Sequence, residues 1–264
     1  MTPLRTVTVE RYVTPLREGG SMPAIVEADD LGLYVLKFRG AGQGVRALMA
    51  ELIAGGIARS LGLPVPEIVL ANLDTRLAQT EPDPEIQDLV RASGGLNVAL
   101  DYLPGSVNFD PAADEVTADF ASRLVWFDAL VGNVDRTARN TNLLMWQRRP
   151  WLIDHGASLT FHHAWSGTVA DPARPFAAVA DHVLLHRADA LAQVDAALAA
   201  RLTPAVLHAI LAQVPDSFLA LAAADHRTDA LAGPAAHRQA YVDYFLARLA
   251  GRAAWVQGAL DARR

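Results

Sequence analysis

Asp135 and Asn140 stand five residues apart in the polar stretch Gly132–Asn142, and Asp154 closes the apolar run Trp151–Ile153 just before His155-Gly156. If the chain folds back after the polar stretch, a carboxylate, a carboxamide and a second carboxylate meet. Hard oxygen donors of this kind suit Mg²⁺, which takes few protein ligands and fills its shell with water and phosphate oxygens. Phosphoryl transfer requires such an ion, a cation on the phosphates and a carboxylate that orients the acceptor. The cation has one outstanding candidate. Lys37 is the only lysine in 264 residues; every other member of the 23 Lys+Arg positions is Arg. It sits in Leu33-Tyr34-Val35-Leu36-Lys37-Phe38, which otherwise reads as an apolar strand. Lysine offers a compact point charge on a thin stem, whereas arginine offers a broad planar fork, so a chain that uses arginine everywhere else keeps lysine where a point charge is needed.

Composition narrows the class. The chain is 52% hydrophobic and 20% charged with a formal net charge of −6, which argues against a general nucleic-acid binder. It has no cysteine, and therefore no disulfide, thiolate ligand or cysteine nucleophile. Met1-Thr2-Pro3-Leu4-Arg5 lacks a charged-then-apolar leader pattern, and no run approaches the roughly 18 apolar residues of a membrane span. The expected location is cytoplasmic.

The elements that must position these residues follow from periodicity and punctuation. Thr6–Val13 alternates as a strand, and Arg17-Glu18-Gly19-Gly20-Ser21 reads as a flexible turn. Pro23–Glu27 and Leu33–Phe38 form a hairpin through Asp29-Asp30-Leu31-Gly32. Gln43–Leu61 is helical, with Leu48, Leu52, Ile53 and Ile57 on one side and Gly62, Pro64 and Pro66 as stop signals. Glu67–Asn72 and Leu96–Leu100 are further strands, with a polar loop at Glu81-Pro82-Asp83-Pro84 between them. Ala113–Val131 is an amphipathic helix carrying Phe120, Leu124, Phe127 and Leu130 on one stripe. A short hairpin, Leu143–Trp146 with Trp151–Ile153, follows the polar stretch, and from about Asp189 onward the chain is Ala/Leu-rich helix. A strand-rich first third followed by helices predicts an α+β fold with two lobes, residues 1–103 and 104–264.

The order of Val35-Leu36-Lys37, Glu51 on the next helix, Asp135-x4-Asn140 and Asp154-His155-Gly156 resembles the protein-kinase-like fold. More narrowly, Gly-Asn-x-Asp-Arg-Thr-x-x-Asn at 132–140, Ile-Asp-His-Gly at 153–156 and Leu-Gly-Leu-Pro-Val-Pro-Glu at 61–67 are similar to HipA-like kinases, over about residues 15 to 165. The resemblance implies a nucleotide partner, with ATP and Mg²⁺ bound between a small β-rich lobe and a larger helical one. Lys37 would contact the α- and β-phosphates and Glu51 would hold Lys37. Asp135 would be the catalytic aspartate, with Asn140 and Asp154 as metal ligands. Gly19, Gly20 and Ser21 would cover the phosphates. Asn97–Tyr102, including Leu100 and Tyr102, would be the hinge facing adenine.

The chain departs from ordinary eukaryotic-type protein kinases in three places. No His-Arg precedes Asp135, His155 fills the middle of the metal motif, and no Ala-Pro-Glu follows it. The acceptor is then a protein Ser/Thr, a small molecule or a lipid headgroup. The competing classes are a nucleotide-binding module without turnover and a helical scaffold with a β cap. For single residues, Glu51 reads either as the partner of Lys37 or as part of a solvated face. Arg136 and Arg139 either touch phosphate or brace the loop. Asn142 competes with Asn140. His155, His162 and His163 read as solvated or supporting histidines rather than a zinc set, and Trp126, Trp146 and Trp151 as packing residues.

Overall fold

A computed structural model of the chain describes residues 2–16, 22–79, 81–165, 167–224 and 231–264. The first elements are β1 (Thr6–Pro15), β2 (Ala24–Ala28), β3 (Leu33–Lys37), α1 (Val45–Ser60), β4 (Ile68–Leu73), α2 (Pro84–Ala92) and β5 (Gly95–Asp101). The strands close into a small barrel in the order β1-β2-β3-β5-β4, and β1 completes it by running parallel to β4. Closure leaves the barrel without an unpaired edge. The side-chain period of two then sorts β3. Tyr34 and Leu36 are buried in the barrel interior with Val26, Val69, Ala71 and Ala99, while Val35 and Lys37 face outward to line a cleft.

The helix between β3 and β4 is apolar nearly all round, as expected of a buried helix. Leu48, Met49, Ile53, Ala54 and Ile57 are solvent-inaccessible, and so is Glu51. Gly62, at φ +75, follows its last turn in the left-handed conformation that terminates helices. The polar stretch read as a loop is instead a helix start: Asp83 caps α2 by accepting from the Glu85 amide, and Pro84 occupies the first turn.

The remainder contains β6 (Val107–Asn108), α3 (Ala118–Val131), β7 (Leu143–Trp146), β8 (Arg149–Leu152), α4 (Leu191–Arg201), α5 (Pro204–Leu211), α6 (Asp216–Ala224), α7 (Pro234–Ala250) and α8 (Arg252–Ala262). Thr117 caps α3 through the Phe120 amide, so this helix starts later than the expected Ala113. The β7–β8 hairpin turns through Gln147 and Arg148, both at positive φ, as a two-residue turn matched to strand twist requires.

The architecture is mixed α+β. No break in packing marks residue 103: α1, Val98 and Leu100 share one continuous core with α3 to α8, and the barrel interior is the second cluster. Arg46 of α1 donates to the Ala222 carbonyl in α6, and Ile210 of α5 packs on Gly56 of α1.

Candidate active site

The outward face of β3 puts Lys37 opposite α1, where its Nζ donates to Glu51 Oε2 at 2.7 Å and to Asp154 Oδ1 at 2.6 Å. Asp154 lies just beyond β8, at φ +53, a left-handed conformation uncommon for a side chain other than Gly, Asn or Asp. Glu51 is fully buried, while the Asp154 side chain is 44% exposed. Burial works to lower the Lys37 pKa, but the charges of Glu51 and Asp154 outweigh it and hold the ammonium above its ordinary value. Burial likewise works to raise the Glu51 pKa, and the Lys37 and His155 charges and hydrogen bonds overcome it, holding the carboxyl below the usual range. The solvated-face reading of Glu51 is therefore wrong.

The second group is built by the segment after α3. Asn140 Nδ2 donates to Asp135 Oδ2 at 2.8 Å, and Asn142 Nδ2 to Asp135 O at 3.1 Å and Oδ2 at 3.2 Å. Asn133 Oδ1 accepts from the Asp135 amide at 3.0 Å. Asn142 is thus a further partner of Asp135, beyond a strand-entry residue.

A cleft of about 1280 Å³ gathers most of these residues. Lys37, Leu100, Tyr102, Asn140 and Asp154 line it, together with Arg139 and Asn142. Asp135 does not line it and reaches it through Asn140 and Asn142. Among the described residues no lining residue comes after Asp154, so the helices from α4 onward do not wall it. Gly19, Gly20 and Ser21 lie outside the described residues.

Hard-oxygen chemistry is available in the cleft. With Nδ2 spent on Asp135, Asn140 keeps its carbonyl oxygen as an acceptor. Asp154 gives only Oδ1 to Lys37 among the described residues. Among those residues no cluster of three His, Asp or Glu is arranged to hold a metal by itself. The donors fit an ion that completes its shell with phosphate oxygens and water, as Mg²⁺ does. Two backbone amides of the expected hinge are engaged. The Asp101 amide donates to Glu67 O and the Tyr102 amide to Leu33 O, so both are spent inside the barrel. Among the described residues the Leu103 amide, one position on, donates to no protein carbonyl.

A family model described as HipA-like kinase matches residues 9–233. The chain belongs to the HipA-like kinase family. The family places it among kinase-like phosphotransferases. Two solved structures are among those similar to it. A Helicobacter pylori proinflammatory kinase, CtkA, is 13% identical over 98% of each chain, with a TM-score of 0.46. The Golgi casein kinase with Mn/ADP bound is 12% identical over 96% of this chain and 74% of its own, with a TM-score of 0.43. No curated protein matches the sequence.

Three residues of this HipA-like kinase fix the site geometry: Asp128 did not stand out in the sequence, while Arg136 and His155 did with their roles left open. Asp128, fully buried on α3, accepts from Arg136 Nε at 2.6 Å, His182 Nε2 at 2.9 Å and Asn133 Nδ2 at 3.1 Å. Burial works to raise its pKa, and Arg136 and His182 bring it below the ordinary value. Arg136 Nη1 donates to Asn142 O at 2.5 Å, so Arg136 braces the loop and does not face phosphate. The third is His155, buried against Glu51 and not solvated. The only signal for Asp128 is a lone carboxylate in the apolar run Val125–Val131.

Proposed function

We propose that this chain is an ATP- and Mg²⁺-dependent kinase that transfers the γ-phosphoryl group to a hydroxyl, with a protein Ser/Thr as acceptor. One observation carries the reading: Lys37, Glu51 and Asp154, far apart in sequence, join at the wall of a cleft that also takes Asn140. In this reading residues 1–103 contribute Lys37 and Glu51, and residues 104–264 contribute the loop and metal residues.

Lys37, held charged by two carboxylates, contacts the α- and β-phosphates as a point cation. Asn140 and Asp154 hold the ion, which when bound neutralises charge on the phosphate oxygens and orients them. The Asp135 carboxylate orients the acceptor hydroxyl. As the acceptor oxygen bonds to the γ-phosphorus, the bond from that phosphorus to the bridging β–γ oxygen breaks, the diphosphate leaves, and the hydroxyl proton passes to Asp135. Leu100, Tyr102 and Leu103 give the base an apolar wall, and the Leu103 amide supplies the donor for its ring. The protein acceptor is supported by the rim, where Asn108, Asp110, Arg139 and Asn140 are exposed. A closed small-molecule pocket built from the last helices has no counterpart in the cleft lining.

The test joins binding to turnover. ATP with Mg²⁺ at about a hundred times its dissociation constant stabilises the fold by roughly 2.7 kcal/mol, on the order of 5–10 °C for a chain of this size. Lys37→Ala and Asp154→Asn reduce that shift. Asp135→Asn keeps it and lowers phosphate transfer to a Ser/Thr peptide library by about 10²–10⁴-fold, the usual worth of a general base. No shift with ATP or GTP, with either Mg²⁺ or Mn²⁺, overturns the reading. A shift without transfer to any acceptor makes the chain a nucleotide-binding module.

A further inference from the structure

Glu51 has two carboxylate oxygens and three donors. One donor is Lys37; the other two belong to His155. The His155 amide donates to Oε2 at 2.8 Å, and its ring Nδ1 lies 3.0 Å from Oε1. Both side chains are fully buried. A carboxylate only accepts, so Nδ1 carries the proton. The opposite nitrogen, Nε2, is buried with no partner among the described residues. The imidazole is held in place by an edge contact with Phe127 of α3, centroids 5.9 Å apart at 75°.

We infer that His155 is the positioning residue of the Lys37–Glu51 pair, fixing both oxygens of Glu51 so that Lys37 stands over the cleft before nucleotide arrives. Here α1 is pinned on the other side too, by Ile210 against Gly56 and by Arg46 on the Ala222 carbonyl. The residue in the middle of the metal motif thus ties Asp154, which holds Lys37 from one side, to Glu51, which holds it from the other. The inference rests on the proposed role of Lys37 at the phosphates.

Two variants separate the donor from the ring. His155→Asn keeps an N–H donor bonded to Cγ and loses the ring. His155→Phe keeps a ring against Phe127 and loses the donor. Because Lys37 is the only lysine, labelling with ¹³C-lysine gives one side-chain signal that reports its pairing whether or not the protein turns over. The expected result is that His155→Phe moves and sharpens the Lys37 signal and lowers kcat by about 10–100-fold with little change in the ATP KM, the scale of a small misplacement. His155→Asn keeps the signal near its original position and kcat within about threefold, a small step on the scale of positioning effects. An unchanged Lys37 signal and kcat in His155→Phe overturns the inference, as does equal loss in both variants. If His155→Phe does not fold, His155→Gln, whose amide is one bond too far out to replace Nδ1, stands in with the same outcomes. If the wild type transfers no phosphate, the kinase reading fails while the Lys37 signal still decides the role of His155.

Discussion

Arg136 Nε lies 2.6 Å from Asp128 Oδ2, and neither side chain touches solvent. The pair joins α3 to the segment that presents Asp135, and His182 and Asn133 share the same carboxylate. A buried ion pair adds little to stability when compared with apolar residues of the same shape, but losing one partner strands the other.

Asp128→Ala is therefore expected to cost about 3–5 kcal/mol, because Arg136 would keep a buried charge with no counter-ion. Urea unfolding of the variant against wild type measures it. A loss under about 1 kcal/mol would mean that the network is dispensable, since an ordinary net hydrogen bond is worth that much.

The histidines beyond the site give a pH dependence with a definite sign. His162 Nδ1 is 2.9 Å from the Tyr241 hydroxyl, and its Nε2 is buried without a partner. Burial, and then the nearby His163, Arg46 and His237, hold its pKa well below 6.5; His237 is lowered as well, first by burial. The unfolded chain takes up these protons first. The stabilisation is thus complete above pH 6.5 and is lost as the pH falls below it. Between pH 7.5 and 5.5 the unfolding free energy is expected to drop by roughly 1–3 kcal/mol, and His162→Phe to flatten that slope. A slope unchanged by His162→Phe would assign the loss to other groups.

Much of the site was legible in the sequence, because the residue types and their order survive any folding detail. The Asp135, Asn140 and Asp154 set, the lone Lys37 in an apolar strand and the α1 stop signals all depend on local chemistry. What escaped depends on what lies across from a residue. Arg136 offered no reason to prefer bracing over phosphate contact until Asp128 was placed beside it. His155, flanked by Asp154 and Gly156, reads as either solvated or supporting, since nothing local shows that Glu51 faces it from 104 positions away. Asp83-Pro84 reads as a loop in the sequence, and the burial of Ile86 and Val90 on one face shows that it opens a helix. The engagement of the Asp101 and Tyr102 amides escaped in a similar way, because no spacing reveals the strand neighbours that take them.

The Gly55-Gly56 pair in α1 makes a packing prediction. A Cβ on Gly56 would stand 2.9 Å from Ile210 Cγ2, an atom fixed to a branched carbon that cannot swing away. Overpacking costs about 1–3 kcal/mol and the better helix propensity of alanine returns up to about 1, so Gly56→Ala is expected to lose up to about 2 kcal/mol. Gly55→Ala clashes with the terminal Ile68 Cδ1, which can turn aside, and stands at ordinary contact distance, 3.9 Å, from His155 Nδ1, so it is expected to lose less. Thermal melts of the two variants compare them directly; a Gly56→Ala variant more stable than wild type would show that α5 yields.

The packing of α1 against the far end of the chain also orders events during synthesis. The helix that carries Glu51 leaves the ribosome early, yet its supports, Ile210 and the Ala222 carbonyl, are made more than 150 residues later. The barrel can close on its own strands, but α1 has nowhere to bury its second face until α5 and α6 emerge. A nascent chain that stops short of α5 therefore leaves an apolar face of α1 uncovered, and the helix that carries Glu51 settles only after those two helices are made.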